Sequence, residues 1–265
     1  MSATAAGVER VGSIDATTAD IEYRIADTRE EREAAFRLVY NSYVRAGLGE
    51  PNRYQARVTP YHLLETSEVF IATLRGETIS TLSLIVDGEL GVPMESVYPE
   101  EVAQLRARGF LMGEVSSLAD RRDHFEEFFP VFVRLCRVMA QHAWRRGLSG
   151  LVAAVHPRHA RFYRRFMHFE SIGQLRSYPS VRNRPAVALC LDFDKVDRER
   201  PRSFDTFFGE WLPDDMVASH PITADQREYF RPMIDPSFVL APLGGEGDAF
   251  GSGSVAAAGM ALVAS

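Results

Sequence analysis

The chain has 265 residues, of which 46% are hydrophobic and 25% charged, with a formal net charge of −6. That composition is ordinary for a water-soluble globular protein, and the length admits one large domain, or a domain plus an extension, with a full core. No apolar stretch is long enough to span a membrane, no basic-then-apolar leader opens the chain, and the two cysteines, Cys136 and Cys190, lie far apart inside apolar patterns. An integral membrane protein, a signal-led secreted protein, a disulfide scaffold and a cysteine metal site are therefore not expected. The charge is unevenly spread: residues 1–100 carry net −7, residues 101–200 net +7 and residues 201–265 net −6. Every basic residue but Lys195 is an arginine. A GC-rich coding bias accounts for the abundance, while an arginine-rich middle in an acidic chain fits an acidic partner better than bulk nucleic acid.

Residues 1–20 are small and polar and are expected to be disordered. Ile21 to Ile25 alternates as a first strand. Asp27 or Thr28 can cap the helix that follows, with Glu30 and Glu31 in its first turn, and Phe36, Val39, Tyr40 and Tyr43 recur at helical spacing until Gly47. Residues 48–66 read as a long loop holding Pro51, Arg53, Arg57, Thr59, Pro60 and His62; loops of this length in compact domains often serve function. Glu68 to Leu74 and Thr78 to Val86 form a hairpin around Arg75-Gly76-Glu77, and Pro99 opens a helix that ends near Gly109.

The next sixty residues organise the chain. Phe110 to Leu118 reads as a half-buried strand with one carboxylate in it, and strand alternation puts Met112, Glu114, Ser116 and Leu118 on one side. A carboxylate among apolar neighbours either finds a partner or lines a wet cleft, because desolvation disfavours the ion. After Arg121 to His124, Phe128, Phe132, Leu135, Cys136, Met139 and Ala143 give a helix one apolar face, with Arg145 and Arg146 in its last turn and Gly147 closing it. The aromatics Phe125, Phe128, Phe129 and Phe132 are expected mainly in the core. Leu151 to Val155 is a buried strand; His156-Pro157 starts a helix running to Phe166, and Phe169 and Ile172 open another strand. Arg176 to Pro185 reads as a loop or lid before the strand Ala186 to Leu191. Beyond Phe193 the pattern weakens: Phe204, Phe207, Phe208 and Trp211 can seat an extension on the domain, Thr223-Ala224-Asp225-Gln226 is a capping-box start, and from Gly244 the Gly, Ala and Ser tail is expected to be disordered.

The run His156-Pro157, Phe162-Tyr163, Met167-His168-Phe169 resembles the late strand-helix-strand segment of GNAT acyltransferases, with His168 where a glycine usually stands. Gly113-Glu114-Val115-Ser116-Ser117-Leu118-Ala119, together with Thr81 to Leu84 and Gly91-Val92-Pro93-Met94, is similar to the FeeM-type N-acyl amino acid synthases, relatives of the acyl-homoserine lactone synthases. The resemblance runs from about Tyr23 to Phe193. It implies an α/β GNAT fold: a mixed, mostly antiparallel, twisted sheet whose two central strands part in a V, flanked by helices. The implied organisation is a disordered 1–20, an acyltransferase domain over 21–195, an extension over 196–243 and a disordered tail over 244–265.

The resemblance implies a cytoplasmic bacterial enzyme that transfers an acyl group from acyl carrier protein to an amino acid. It implies no tightly bound cofactor and no metal; an acyl-phosphopantetheine thioester is the co-substrate, with coenzyme A the lesser donor. Neither nucleic acid nor an integral membrane segment is expected as a partner. Glu114 is the leading base. Ser116 and the backbone near Val115 are placed beside the thioester, with Ser117, Leu118 and His156 nearby, and Tyr163 matches the tyrosine that can protonate the departing thiolate. His156 is also simply read as a helix cap. Arg145, Arg146, Arg158, Arg161, Arg164 and Arg165 can supply a carrier-docking face or be solvated helix charges. Tyr43, Arg53 and Arg57 border the substrate cleft. Two departures matter: Ser117 stands where the lactone synthases carry arginine, and their paired aspartates are missing from residues 48–66. The loop from Asp120 to Phe125 lacks the glycine that cradles a diphosphate and carries Asp120 and Asp123, with Glu126 just beyond. A coenzyme A-dependent N-acetyltransferase, a lactone-type synthase and a non-catalytic acyl-binding protein are the alternatives.

Overall fold

The computed structural model describes residues 20–236 and residue 238, so the tail from Gly244, and the N-terminal stretch apart from Asp20, lie outside the described residues. The local signals work as expected at the first helix. Thr28 accepts the backbone N–H of Glu31 while the Glu31 carboxylate takes the cap N–H groups, starting α1 (Arg29–Arg45), and Gly47 follows it at φ +66°. Before it runs β1 (Ile21–Ile25); after it come β2 (Glu68–Leu74), β3 (Glu77–Val86), α2 (Pro99–Ala107), β4 (Met112–Asp120) and α3 (Phe125–Arg145). Then follow β5 (Gly150–Val155), α4 (Pro157–Phe166), β6 (Glu170–Ser171), β7 (Arg176–Tyr178) and β8 (Arg184–Asp192).

These strands form one eight-stranded sheet in the order β1-β2-β3-β4-β5-β8-β6, with β7 paired to β8. Every pairing is antiparallel except β4 with β5. The larger core lies between the sheet and α3: Phe70, Leu82 and Leu84 on one side meet Val131, Phe132, Leu135, Cys136 and Met139 on the other. A smaller core on the opposite face gathers Met94, Tyr98, Val102 and Leu105 against Met112, Val152 and Cys190. Both cysteines are free and buried. Among the described residues no helix is long and apolar enough to cross a membrane.

The extension is α5 (Phe193–Glu199), α6 (Phe204–Phe208), a 3-10 turn at Asp214–Val217 and α7 (Ala224–Phe230), capped by Thr223 and Gln226. Phe204, Phe207 and Phe208 are buried against α3, and the chain then turns back so that Phe230 meets Phe36 of α1 edge to face at 5.1 Å. Three expectations are corrected. Residues 176–185 hold a short strand, β7, that pairs Arg176 with Ala186 and Tyr178 with Arg184. Arg182 and Asn183 take left-handed conformations at the bend, and Pro185 needs no N–H where it stands. Phe125 is not core: its side chain is 65% exposed and stacks on Phe129. Leu118 does not share the face of Met112, because a bulge intervenes, as described below.

Phe230 is fully buried and pins the end of the extension to α1. Phe230→Ala is expected to cost about 3–5 kcal/mol in urea denaturation, the range for deleting a buried aromatic ring.

Candidate active site

The central parallel pair is short. Met112, Gly113 and Glu114 pair with Gly150, Leu151 and Val152, and there the register ends, although β4 continues to Asp120 and β5 to Val155. The two strands part immediately after Glu114. On its other edge β4 is still held by β3, but with a bulge: Ser83 pairs with Ser116 and Thr81 with Ala119, so Ser117 and Leu118 oppose Leu82 alone. Ser117 sits at φ +53°, the left-handed region, which re-aims the strand. The alternation therefore resets, and Leu118 packs toward the α3 core with Val115 while Met112 stays in the opposite one.

Glu114 is 3% exposed and makes no ion pair among the described residues. Its carboxylate accepts one hydrogen bond, from the backbone N–H of Met94 at 2.6 Å. Burial pushes its pKa up to about 8; the Met94 amide works against that and the charge of neighbouring Glu95 adds to it. The Met94 turn is itself anchored. Arg106 from α2 donates to Asp87 and Glu95 at 2.5 to 2.8 Å, and Gly91, at φ +65°, leaves room where a Cβ would strike the Glu95 carboxylate. Thus Arg106 holds Glu95, and Glu95 fixes the turn whose amide reaches Glu114.

Three tyrosines feel the charge of this carboxylate. Tyr43 of α1, Tyr61 of the 48–66 segment and Tyr178 of β7 all have raised phenol pKa values, first through burial, and the Glu114 charge contributes to each. The Tyr61 hydroxyl is buried without a hydrogen-bond partner among the described residues. Tyr163 packs on the α3 side of the sheet, between Phe132 and Phe169; burial raises its phenol too, with Cys136 and Tyr43 as lesser causes. His62, in a 3-10 turn at Pro60–Leu63, accepts the Thr59 N–H at Nδ1 (3.0 Å), which leaves its proton on Nε2, 3.5 Å from the Ser117 hydroxyl. Burial, then Arg57 and Arg32, lower its pKa to about 3, so it is neutral.

The remaining expected residues separate into groups. Ser116 follows Glu114 by two positions on the β4 edge that β5 has left. His156 caps α4, its Nδ1 accepting the Arg158 N–H at 3.3 Å, and its ring is exposed. Arg57 is buried beside Tyr43, donating to Asp235 (3.0 Å) and to the Ser180 carbonyl (2.9 Å). Arg53 is exposed and lies over its neighbour Tyr54. Arg145 is bound to Leu212 and Asp214, and Arg146 to the Thr66 carbonyl near Glu68. Arg158, Arg161, Arg164 and Arg165 are exposed along α4, and among the described residues none of the four is paired with a carboxylate. Tyr61, Met94, Glu95 and Tyr178 are neighbours of Glu114 that periodicity does not reveal. Tyr61, Met94 and Glu95 stand in 3-10 turns and Tyr178 at the end of the three-residue strand β7, all too short to show a period.

The family described as N-acyl amino acid synthase FeeM matches residues 34–192. Among solved structures, FeeM, an N-acyl amino acid synthase from uncultured soil microbes, is 28% identical with a TM-score of 0.58, covering 66% of this chain and 92% of its own. The acyl-homoserine lactone synthase LasI is 13% identical with a TM-score of 0.53, covering 73% of this chain and 96% of its own, a likeness of fold. No curated protein matches the sequence. The sheet shares the fold of these two synthases.

Because the folded state holds the Glu114 proton up to about pH 8 while the unfolded chain releases it near 4.5, the stability this proton confers is complete below the lower value. It is lost as pH rises through the upper one. Urea denaturation of the protein and of Glu114→Gln, run from about pH 5 to about pH 8.5, is expected to show the wild type losing a few kcal/mol relative to the variant.

Proposed function

The chain belongs to the FeeM N-acyl amino acid synthase family and is an acyltransferase, and from that premise we propose that it moves a long-chain fatty acyl group from an acyl carrier protein thioester to the α-amine of an amino acid. The observation that carries this reading is an ionisable, unpaired carboxylate at the point where β4 loses β5. A base must collect a proton from an ammonium nucleophile near neutral pH, and a carboxyl raised to about 8 is matched to that task. Past Glu114 the free edge of β4 offers backbone groups to a pantetheine arm lying as an added strand and to the oxyanion of the thioester.

In this reaction Glu114 takes a proton from the ammonium group, and the amine attacks the thioester carbon. The C–S bond breaks, and the proton shed by nitrogen as the amide forms ends on the pantetheine sulfur. Burial makes the Tyr163 phenol a weaker acid than usual. In this role it steadies the leaving sulfur as a hydrogen-bond donor, and Tyr43 belongs to the substrate cleft. The Glu95–Arg106 pair and the Met94 turn position Glu114.

The carrier protein is preferred over coenzyme A as donor for two reasons. The β4–α3 loop is closed on itself, with Asp120 gripping Arg122 and Asp123 facing Arg45, so it presents no cradle for a diphosphate. The unpaired arginines of α4 offer an acidic carrier a docking face. Arg145 and Arg146, bound within the chain, have a lesser part in it.

Incubation with acyl carrier protein thioesters and mixed amino acids, followed by mass spectrometry, is expected to reveal N-acylated amino acids. Acylation from acetyl-coenzyme A alone would instead assign a coenzyme A-dependent N-acetyltransferase. Glu114→Gln should lower single-turnover transfer by about a hundredfold or more while donor binding is kept, and wild-type transfer should rise as pH passes about 8. Unchanged transfer in the variant removes Glu114 as the base. Arg161→Glu with Arg165→Glu should raise KM for a carrier-borne donor more than for the same acyl group on free pantetheine, and weaken the salt dependence.

A further inference from the structure

Two arginines bear on the surroundings of Glu114, and their counter-charges come from different places. Arg106 is held by Asp87 and Glu95, both inside the stretch that matches the family. Arg57 is 7% exposed, and its Nη1 donates to Asp235, a residue of the extension beyond that stretch. Its Nη2 donates to the Ser180 carbonyl. A buried guanidinium of the matched region thus receives its carboxylate from outside it.

Arg57 and Glu114 act on the same tyrosines. The Arg57 guanidinium is 5.0 Å from the centre of the Tyr43 ring, and the Ser180 carbonyl that it binds is two residues past Tyr178. Tyr43 and Tyr178 each feel both the Glu114 carboxylate and the Arg57 cation. Tyr61 packs with Ile85, the direct cross-strand partner of Glu114, and so stands on the Glu114 face of the sheet. The end of the extension is strapped to the same loop. Ile234 bridges Val58, the Asp235 N–H donates to the Val58 carbonyl at 2.9 Å, and Phe238 meets Tyr61 edge to face at 5.6 Å. Beside Phe238, the Tyr61 hydroxyl is buried without a hydrogen-bond partner among the described residues.

An α-amino acid presents an ammonium group and, one carbon away, a carboxylate. Glu114 answers the ammonium, but the carboxylate needs a cation. A guanidinium has the planar fork that suits a carboxylate, and the Asp235 contact shows that a carboxylate fits on this one. We propose that Arg57 is the seat of the acceptor's α-carboxylate, that Asp235 competes for that seat, and that Ile234, Asp235 and Phe238 form a strap which the amino acid displaces. This rests on the acyl-transfer reading above and adds to it a requirement for a free carboxylate and a competitor built into the chain.

Hydrogen exchange read by mass spectrometry tests the strap without any acyl donor. A mixture of the proteinogenic amino acids is expected to raise exchange in the peptide holding Ile234 and Asp235, while the corresponding α-carboxamides leave it unchanged. Equal responses to the two mixtures, or none to either, overturn the proposal. In transfer assays KM for the carboxamide is expected to exceed that for the free amino acid by about a hundredfold, the loss that follows when a charge-assisted pair is missing. Asp235→Asn should lower KM for the free amino acid by about tenfold, because the seat no longer has a charged occupant to expel. A merely structural ion pair leaves that KM unchanged or raises it, and either result overturns the assignment. If free amino acids open the strap and no donor yields an acylated amine, the proposed activity falls and the carboxylate seat stands. If transfer proceeds and the carboxamide serves as well as the acid, the seat falls and the activity stands.

Discussion

The structure depends on a buried carboxylate that has one hydrogen bond where a salt bridge would be ordinary. An unpaired Glu114 in a low-dielectric setting disfavours its own ionisation, and the Met94 amide offsets only part of that cost. A protein designed for stability alone would place an apolar residue there, or a guanidinium beside it. An arginine does reach the neighbouring turn, but Arg106 satisfies Asp87 and Glu95 and leaves Glu114 without a cation. The arrangement keeps Glu114 basic, and the parting of β4 from β5 at that residue gives the base something to act on.

The parting has a local cause in the backbone. A parallel pair joined through α3 is not tied by a turn, so its length is set by how far the two strands can follow one another. On the other side of β4 the bulge at Ser117 increases twist and turns the strand away from β5. The His62 Nε2–H, held toward Ser117 by the Thr59 amide, supports the bulge from the long loop.

What could be read from the sequence follows the reach of local rules. Thr28 with Glu31, Pro99, Pro157 and Thr223 with Gln226 announce helix starts through interactions three residues long, and the structure has each of them. The hairpin β2–β3 and the strand holding Glu114 follow from alternation and a tight turn. The bulge does not, because one added residue changes the face of everything after it while leaving the apolar pattern nearly intact; Leu118 is the example. Tyr61 and Tyr178 were illegible for another reason. They stand in segments without periodicity, and tertiary packing that no local pattern encodes brings them within reach of the Glu114 charge. Arg57 was legible as a loop arginine near the cleft, but its partner Asp235 lies 178 residues away.

That last contact shows how the extension bears on the site. Buried Arg57 pairs with half-buried Asp235, so that removing either leaves a charge without its partner, and the 48–66 loop and the end of the extension depend on one another. The bridge between Val58 and Ile234 and the packing of Phe238 on Tyr61 act at the same place. Further back, Glu68 of β2 bonds Ser219 and the His220 amide while Arg32 bonds the His220 carbonyl, securing the middle of the same segment. One polypeptide stretch outside the family match therefore touches both sides of the sheet: α6 against α3, and Ile234, Asp235 and Phe238 against the 48–66 loop. The setting of the 48–66 loop is in this sense a property of the extension as well as of the matched region.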